Sequence, residues 1–97
     1  MDIRIEAVHF DADKKLVDFV NVKLKKLENF FDNIVSGEVH LKLGSNTDTD
    51  NKITEIKVIV PGKELFAKKE SKSFEESTDL CVEALRRQIQ KHKEKLK

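Results

Sequence analysis

The strongest constraint on the fold lies in the last quarter of the chain. From Ser73 to Lys97, the residues Phe74, Cys81, Leu85, Ile89 and Leu96 recur four or seven apart, so they share one face of a single amphipathic helix. A helix with one apolar face needs another layer to cover it. Its start is marked by Ser73 and Glu76, which have the S-x-x-E spacing of a capping box: each side chain can satisfy a backbone N–H of the other residue. Acids fall in its first turns (Glu75, Glu76, Asp79) and bases in its last, which suits the helix dipole. The dipole does not account for six bases from Arg86 onward (Arg86, Arg87, Lys91, Lys93, Lys95, Lys97) against the single acid Glu94.

Upstream the period of the apolar residues switches between two and 3.6. Met1 to Phe10 alternates, with Ile3 and Ile5 on one side and Arg4 and Glu6 on the other, which predicts a half-buried strand. Asp11 or Asp13 can cap the next helix. Lys14 to about Phe31 is predicted as that helix, with Leu16, Val20, Leu24, Leu27 and Phe31 on one face. At one edge of this stripe lie Phe19 and Phe30, with Lys15, Lys23 and Lys26 beside them. The expectation is that the two rings pack against a neighbouring helix.

Asp32 to Gly37 reads as a turn. Glu38 to Leu43 reads as a strand with Val39, Leu41 and Leu43 inward. The polar stretch Gly44 to Asn51 connects it to a third strand, Lys52 to Val60, with Ile56, Val58 and Val60 on one side. Its spaced aspartates lack the closing glutamate of a calcium loop, so a hairpin connection is expected and no metal site. Pro61-Gly62 marks a turn into a fourth strand, Glu64 to Lys69, with Leu65 and Ala67 inward. Residues Lys69 to Lys72 link it to the last helix.

The expected order is β-α-β-β-β-α, an α+β domain over residues 1–97. Short connections make strands two to four an antiparallel meander, and the helix between strands one and two lets those two pair in parallel. Both helices would lie side by side and roughly parallel on one face of the four-stranded sheet, bringing Lys23 and Lys26 near the basic end of the last helix.

Charge is distributed unevenly. Residues 14–27 sum to +4 and residues 86–97 to +5, so with a total of +1 the remainder carries −8. One basic face and an acidic remainder suit an anionic polymer; the plainer alternative is two solvated helix faces balanced by nearby acids. The chain has no Gly-rich phosphate loop, paired cysteines or nucleophile motif, so an enzyme is not expected. His9, His40 and His92 are scattered. The single cysteine, Cys81, sits on the apolar stripe as a core residue, excludes an internal disulfide and fits a reducing cytoplasm. No apolar run is long enough to span a bilayer. With no Tyr or Trp for a stacking platform on the strands, lysines and arginines along two adjacent helices point to recognition of structured RNA through its phosphates.

The whole chain resembles the short ribosome hibernation-promoting factors, a family also described as ribosome-associated inhibitors or sigma-54 modulation proteins. The residues that carry the resemblance are the opening MDIRIEAVHF, Leu16 to Val20, Lys23 to Asp32, the Pro61-Gly62 turn with Leu65 and Ala67, Glu70-Ser71, and above all Leu85 to Leu96. The resemblance implies a domain shaped like a double-stranded RNA-binding domain. It implies binding in the channel between head and body of the small ribosomal subunit, against 16S rRNA and neighbouring ribosomal proteins, where messenger RNA and tRNA are displaced and translation in idle cells is silenced. It implies no cofactor, no small-molecule substrate, a cytoplasmic location and a monomer off the ribosome. Carried across, the rRNA-binding positions are Lys23 and Lys26 on the first helix and Arg87, Lys91 and Lys95 on the second. Arg86 and Lys93 stand as further candidates on the second helix's other edge. The family commonly has a lysine where this chain has Ala84 and an aromatic where it has Glu75. Longer relatives add a C-terminal dimerisation domain, which is not expected within these residues. Two alternatives of other kinds are a protein–protein module modulating transcription and a generic double-stranded RNA binder.

Overall fold

A computed structural model describes residues 1–44 and 51–95. Four strands, β1 (Asp2–Val8), β2 (Ser36–Leu43), β3 (Lys52–Val60) and β4 (Lys63–Ser71), form one sheet in the order β1-β2-β3-β4. β1 pairs with β2 in parallel and the other two pairs are antiparallel. Two helices, α1 (Lys14–Lys25) and α2 (Phe74–Lys95), cover one face, giving the expected β-α-β-β-β-α architecture. The register places Leu43 opposite Lys52, and the Gly44 amide donates to the Asn51 carbonyl (2.7 Å), so the β2–β3 connection is a hairpin. Residues 45–50 of that loop, and Leu96 and Lys97, lie outside the described residues.

The alternating residues of the strands and the stripes of both helices meet in one core. Val20, Leu24, Leu27, Leu41, Ile56, Val58, Cys81, Leu85 and Ile89 are fully buried. Each large aliphatic side chain among them is worth about 1.5–3 kcal/mol of hydrophobic stabilisation. Gly37 on β2 allows α1 to approach the sheet: a Cβ there would sit 2.9 Å from Leu24 Cδ2. Gly62 turns the chain with φ +79°, where an L side chain is strained.

Several local expectations change. The first helix does not run as α-helix to Phe31. After Lys25 it tightens into a 3-10 segment, Lys26–Asn29, which is common in a last turn, and Phe31 is half-buried beyond it. Leu43, expected inward, is 49% exposed, because it is the last residue of β2 and alternation gives the side of the sheet but not how far the helices reach over it. β4 continues to Ser71 rather than ending at Lys69. Asp13 caps α1, accepting from the Leu16 amide at 2.9 Å. Of the capping box on α2, the half in which Ser73 Oγ accepts from the Glu76 amide (3.0 Å) is formed.

Sequence periodicity also passed over a buried polar belt under α2. Thr54 Oγ1 on β3 lies 2.6 Å from Ser77 Oγ and 3.3 Å from Thr78 Oγ1. The Cys81 thiol donates to the Thr54 carbonyl at 3.0 Å. All four residues have no exposed surface. Hydroxyls that satisfy one another can be buried at little cost, and their directional bonds fix how the helix sits on the strand.

Candidate nucleic-acid interface

The uncovered face of the sheet neutralises its own bases. Lys57 pairs with Glu38 at 3.3 Å, and Glu55 lies 3.2 Å from Lys42 and 3.8 Å from Lys68. His40 lies 3.4 Å from Glu6. Glu6 and His40, Glu38 and Lys57, and Glu55 and Lys68 sit opposite one another across neighbouring strands, and Lys42 reaches Glu55 diagonally. Each of these three lysines therefore has a carboxylate within 4 Å, Lys42 and Lys68 sharing Glu55, whereas on the helical segments Lys26, Lys91 and Lys95 have no ion pair among the described residues.

The helices run side by side in the same direction, as successive contacts show. Lys23 meets Asp79, Phe30 meets Arg86, and Phe31 meets His92. This corrects one expectation. Lys23 lies beside the acidic start of α2, its ammonium 3.1 Å from Asp79 Oδ1 and 5.3 Å from the Phe19 ring, and not near the basic end. The cause is the shared direction: a residue midway along α1 faces the first turns of α2, where acids complement the dipole. Only the end of the 3-10 segment reaches the basic half. Lys26, which opens that segment, is exposed.

On α2 the two edges carry different roles. Arg86 and Lys93, seven residues apart and so on one side, face the first helical segment. The Arg86 guanidinium lies 5.7 Å from the centroid of the Phe30 ring and makes two bonds to Glu83 (2.6 and 3.1 Å). That bonding holds the Glu83 carboxyl below the usual carboxylate range and pushes the Arg86 guanidinium up. Lys93 Nζ donates to the Phe30 carbonyl at 2.7 Å. Arg87, Lys91 and Lys95, spaced by four, form the next row. Gln88 beside them donates to the Phe66 carbonyl on β4 (2.8 Å), so this row lies on the flank turned away from α1. The Arg87 side chain is 74% exposed, with Glu83 3.6 Å away, and Lys91 and Lys95 are exposed. The seven candidate bases thus do not form one strip between the helices. Arg86, Arg87, Lys91, Lys93 and Lys95 make a band around the C-terminal half of α2, Lys26 is exposed at the start of the 3-10 segment, and Lys23 stands apart in its ion pair.

The neighbouring residues are buried or inert. His92 is 9% exposed, with the Phe31 ring edge-on at 5.7 Å, and its Nε2 has no partner among the described residues. Burial pushes the Cys81 thiol up to about 12, so it is not a nucleophile at neutral pH. Among the described residues no group of three or more His, Cys, Asp or Glu could hold a metal ion, and no helix is long and apolar enough to cross a membrane.

Residues 3–97 match the family described as Sigma 54 modulation protein / S30EA ribosomal protein. The chain belongs to that family. It is 33% identical to a ribosome hibernation promoting factor of Klebsiella oxytoca, over 100% of this chain and 98% of that protein. It is 31% identical to a ribosome hibernation promotion factor of Bacillus subtilis, over 99% of this chain but only 50% of that protein. The fold is shared with a ribosomal subunit interface protein from Coxiella burnetii (TM-score 0.85, 24% identity, covering 96% of this chain and 98% of that one). It is shared too with the N-terminal domain of Protein Y from Thermus thermophilus (TM-score 0.82, 22% identity, covering 95% and 99%). Sigma 54 modulation / S30EA proteins are ribosome-associated factors rather than a family of enzymes.

Proposed function

We propose that this protein is a ribosome hibernation factor that binds the small ribosomal subunit in the channel between head and body. There it would lie against 16S rRNA, exclude messenger RNA and tRNA, and silence translation in idle cells. The observation that carries this reading is the asymmetry of charge. The sheet face pairs its lysines with Glu38 and Glu55, whereas the C-terminal half of α2 exposes Arg87, Lys91 and Lys95. A basic band with a neutralised back suits a cleft whose near wall is a phosphate backbone. Hibernation factors among the relatives support the same reading.

Replacing Arg87 and Lys91 together by glutamate tests it. The variant should keep the wild-type circular dichroism spectrum and lose co-sedimentation with small subunits. Undiminished co-sedimentation would remove this band from the interface. A generic double-stranded RNA binder would bind naked duplex as tightly as ribosomes. The transcriptional term in the family description suggests a second partner class, and a protein partner of that kind would be captured in a pull-down that survives high salt.

A further inference from the structure

Phe30 behaves differently from what its place on the apolar edge suggests. Its neighbour Phe31 turns in against buried His92, while Phe30 stays 40% exposed. It is held rather than loose: the Arg86 guanidinium lies over the ring, the Lys93 ammonium is bonded to its carbonyl, and its amide donates to the Leu27 carbonyl at 3.0 Å. Beside it opens a recess of about 290 Å³ lined by Asn29, Phe30, Phe31, Asp32, Asn33 and Lys93.

We propose that this recess takes one unstacked nucleotide of the ribosomal RNA, its base stacked on Phe30. The inference rests on the RNA-binding reading above. A base offers a flat π-face and an edge of donors and acceptors. The recess offers an aromatic ring, the carboxamides of Asn29 and Asn33, and the Asp32 carboxylate, which together can pair with such an edge. The Lys93 ammonium at the rim stands where the attached phosphate would pass. A guanidinium over the same ring adds a cation–π contact that helps to hold the ring in place for stacking. Phe66, the other well-exposed ring, is 53% exposed but stands on the self-neutralised sheet face, opposite Lys57, whose ammonium is engaged by Glu38. Phe30 is the exposed ring that stands beside Lys93, whose ammonium meets a backbone carbonyl rather than a carboxylate.

The test measures binding to small subunits across a salt series for wild type, Phe30→Leu, Phe30→Tyr and Asn33→Ala. Phe30→Leu keeps an apolar side chain and removes the π-face. It should weaken binding by roughly five- to a hundred-fold, with the salt slope unchanged because no phosphate contact is lost. Phe30→Tyr should bind as wild type. Asn33 is exposed, so Asn33→Ala keeps the fold and should weaken binding a few-fold. Wild-type affinity in Phe30→Leu, alongside salt-sensitive wild-type binding, would overturn the recess and leave the hibernation reading standing. A reduced salt slope in Phe30→Leu would also overturn it, because the ring would then act only through Arg86. No wild-type binding to small subunits would overturn both. Titration with adenosine monophosphate, followed by NMR at the Asn29 and Asn33 carboxamides, addresses a free nucleotide. Shifts there without any effect of Phe30→Leu on subunit binding would assign the recess to that ligand and refute the ribosomal one.

Discussion

Replacing Arg87 and Lys91 by glutamine removes two charges from α2 with little effect on the fold. Both residues are exposed, Arg87 to 74%, and its nearest acid, Glu83, is already bonded to Arg86 at 2.6 Å. Stability should therefore stay within about 0.5 kcal/mol of wild type. Each phosphate contact contributes about 0.7–0.9 to the slope of log affinity against log salt, so losing two should flatten the slope by about 1.4–1.8. Between about 50 mM and about 200 mM salt, a fourfold change, the wild type's advantage over the variant should then shrink roughly tenfold. Fluorescence anisotropy with labelled protein and small subunits, at four or more salt concentrations, measures it. Lys23 supplies the internal comparison. Its ammonium is 3.1 Å from Asp79 and its side chain is 28% exposed, so a phosphate contact there must displace the carboxylate. Lys23→Gln should change the slope less than Lys91→Gln does. A double variant with the wild-type slope, or a larger effect at Lys23 than at Lys91, would refute the assignment of the free charge to the outer row of α2.

The remaining predictions concern the scaffold that presents this band. Leu85→Ala, at a fully buried position between α2 and the sheet, should destabilise by about 2–5 kcal/mol in urea unfolding. Gly37→Ala should cost about 1–3 kcal/mol through the 2.9 Å approach to Leu24 Cδ2, and Leu24→Val in the same chain should recover part of that loss. The thiol of Cys81, with its pKa pushed from 9.0 to about 12, should react with disulfide reagents at about pH 8 only as fast as the protein unfolds. Because burial favours the neutral thiol, its contribution to stability is complete below pH 9.0 and declines as pH rises toward about 12. Cys81→Ala should flatten the alkaline limb of a stability–pH curve relative to wild type.

Much of the fold was legible in the residues because burial on one side of a sheet or helix imposes a period. Val39 and Leu41, Ile56 to Val60, and the stripe through Cys81, Leu85 and Ile89 all sit where alternation or helical spacing puts them. The exception at Leu43 marks the limit: period reports a side, while burial needs a neighbour. The belt of Thr54, Ser77 and Thr78 was missed because hydroxyls carry no apolar signal, although Ser77 and Thr78 occupy stripe positions one turn before Cys81. The recess beside Phe30 was missed because helical spacing set Phe31 on the apolar face and Phe30 at its edge, where it was expected to pack against a neighbouring helix, and spacing does not report how much of an edge ring stays open.

For this protein the linear sequence alone determined the order of elements, the pairing of strands by loop length, where the helices start and the amount of uncompensated base after Arg86. Those depend on local periodicity, turn chemistry and charge, which act between near neighbours in the chain. Tertiary structure decided where the bases go. The parallel course of α1 and α2 sets Lys23 against Asp79, sends Arg86 and Lys93 to the ring and carbonyl of Phe30, and leaves Arg87, Lys91 and Lys95 exposed on the outer flank, Arg87 with Glu83 3.6 Å away. A cation's availability to an outside phosphate depends on which acids and carbonyls lie within a few ångströms of it, and those partners come from elements far apart in the chain.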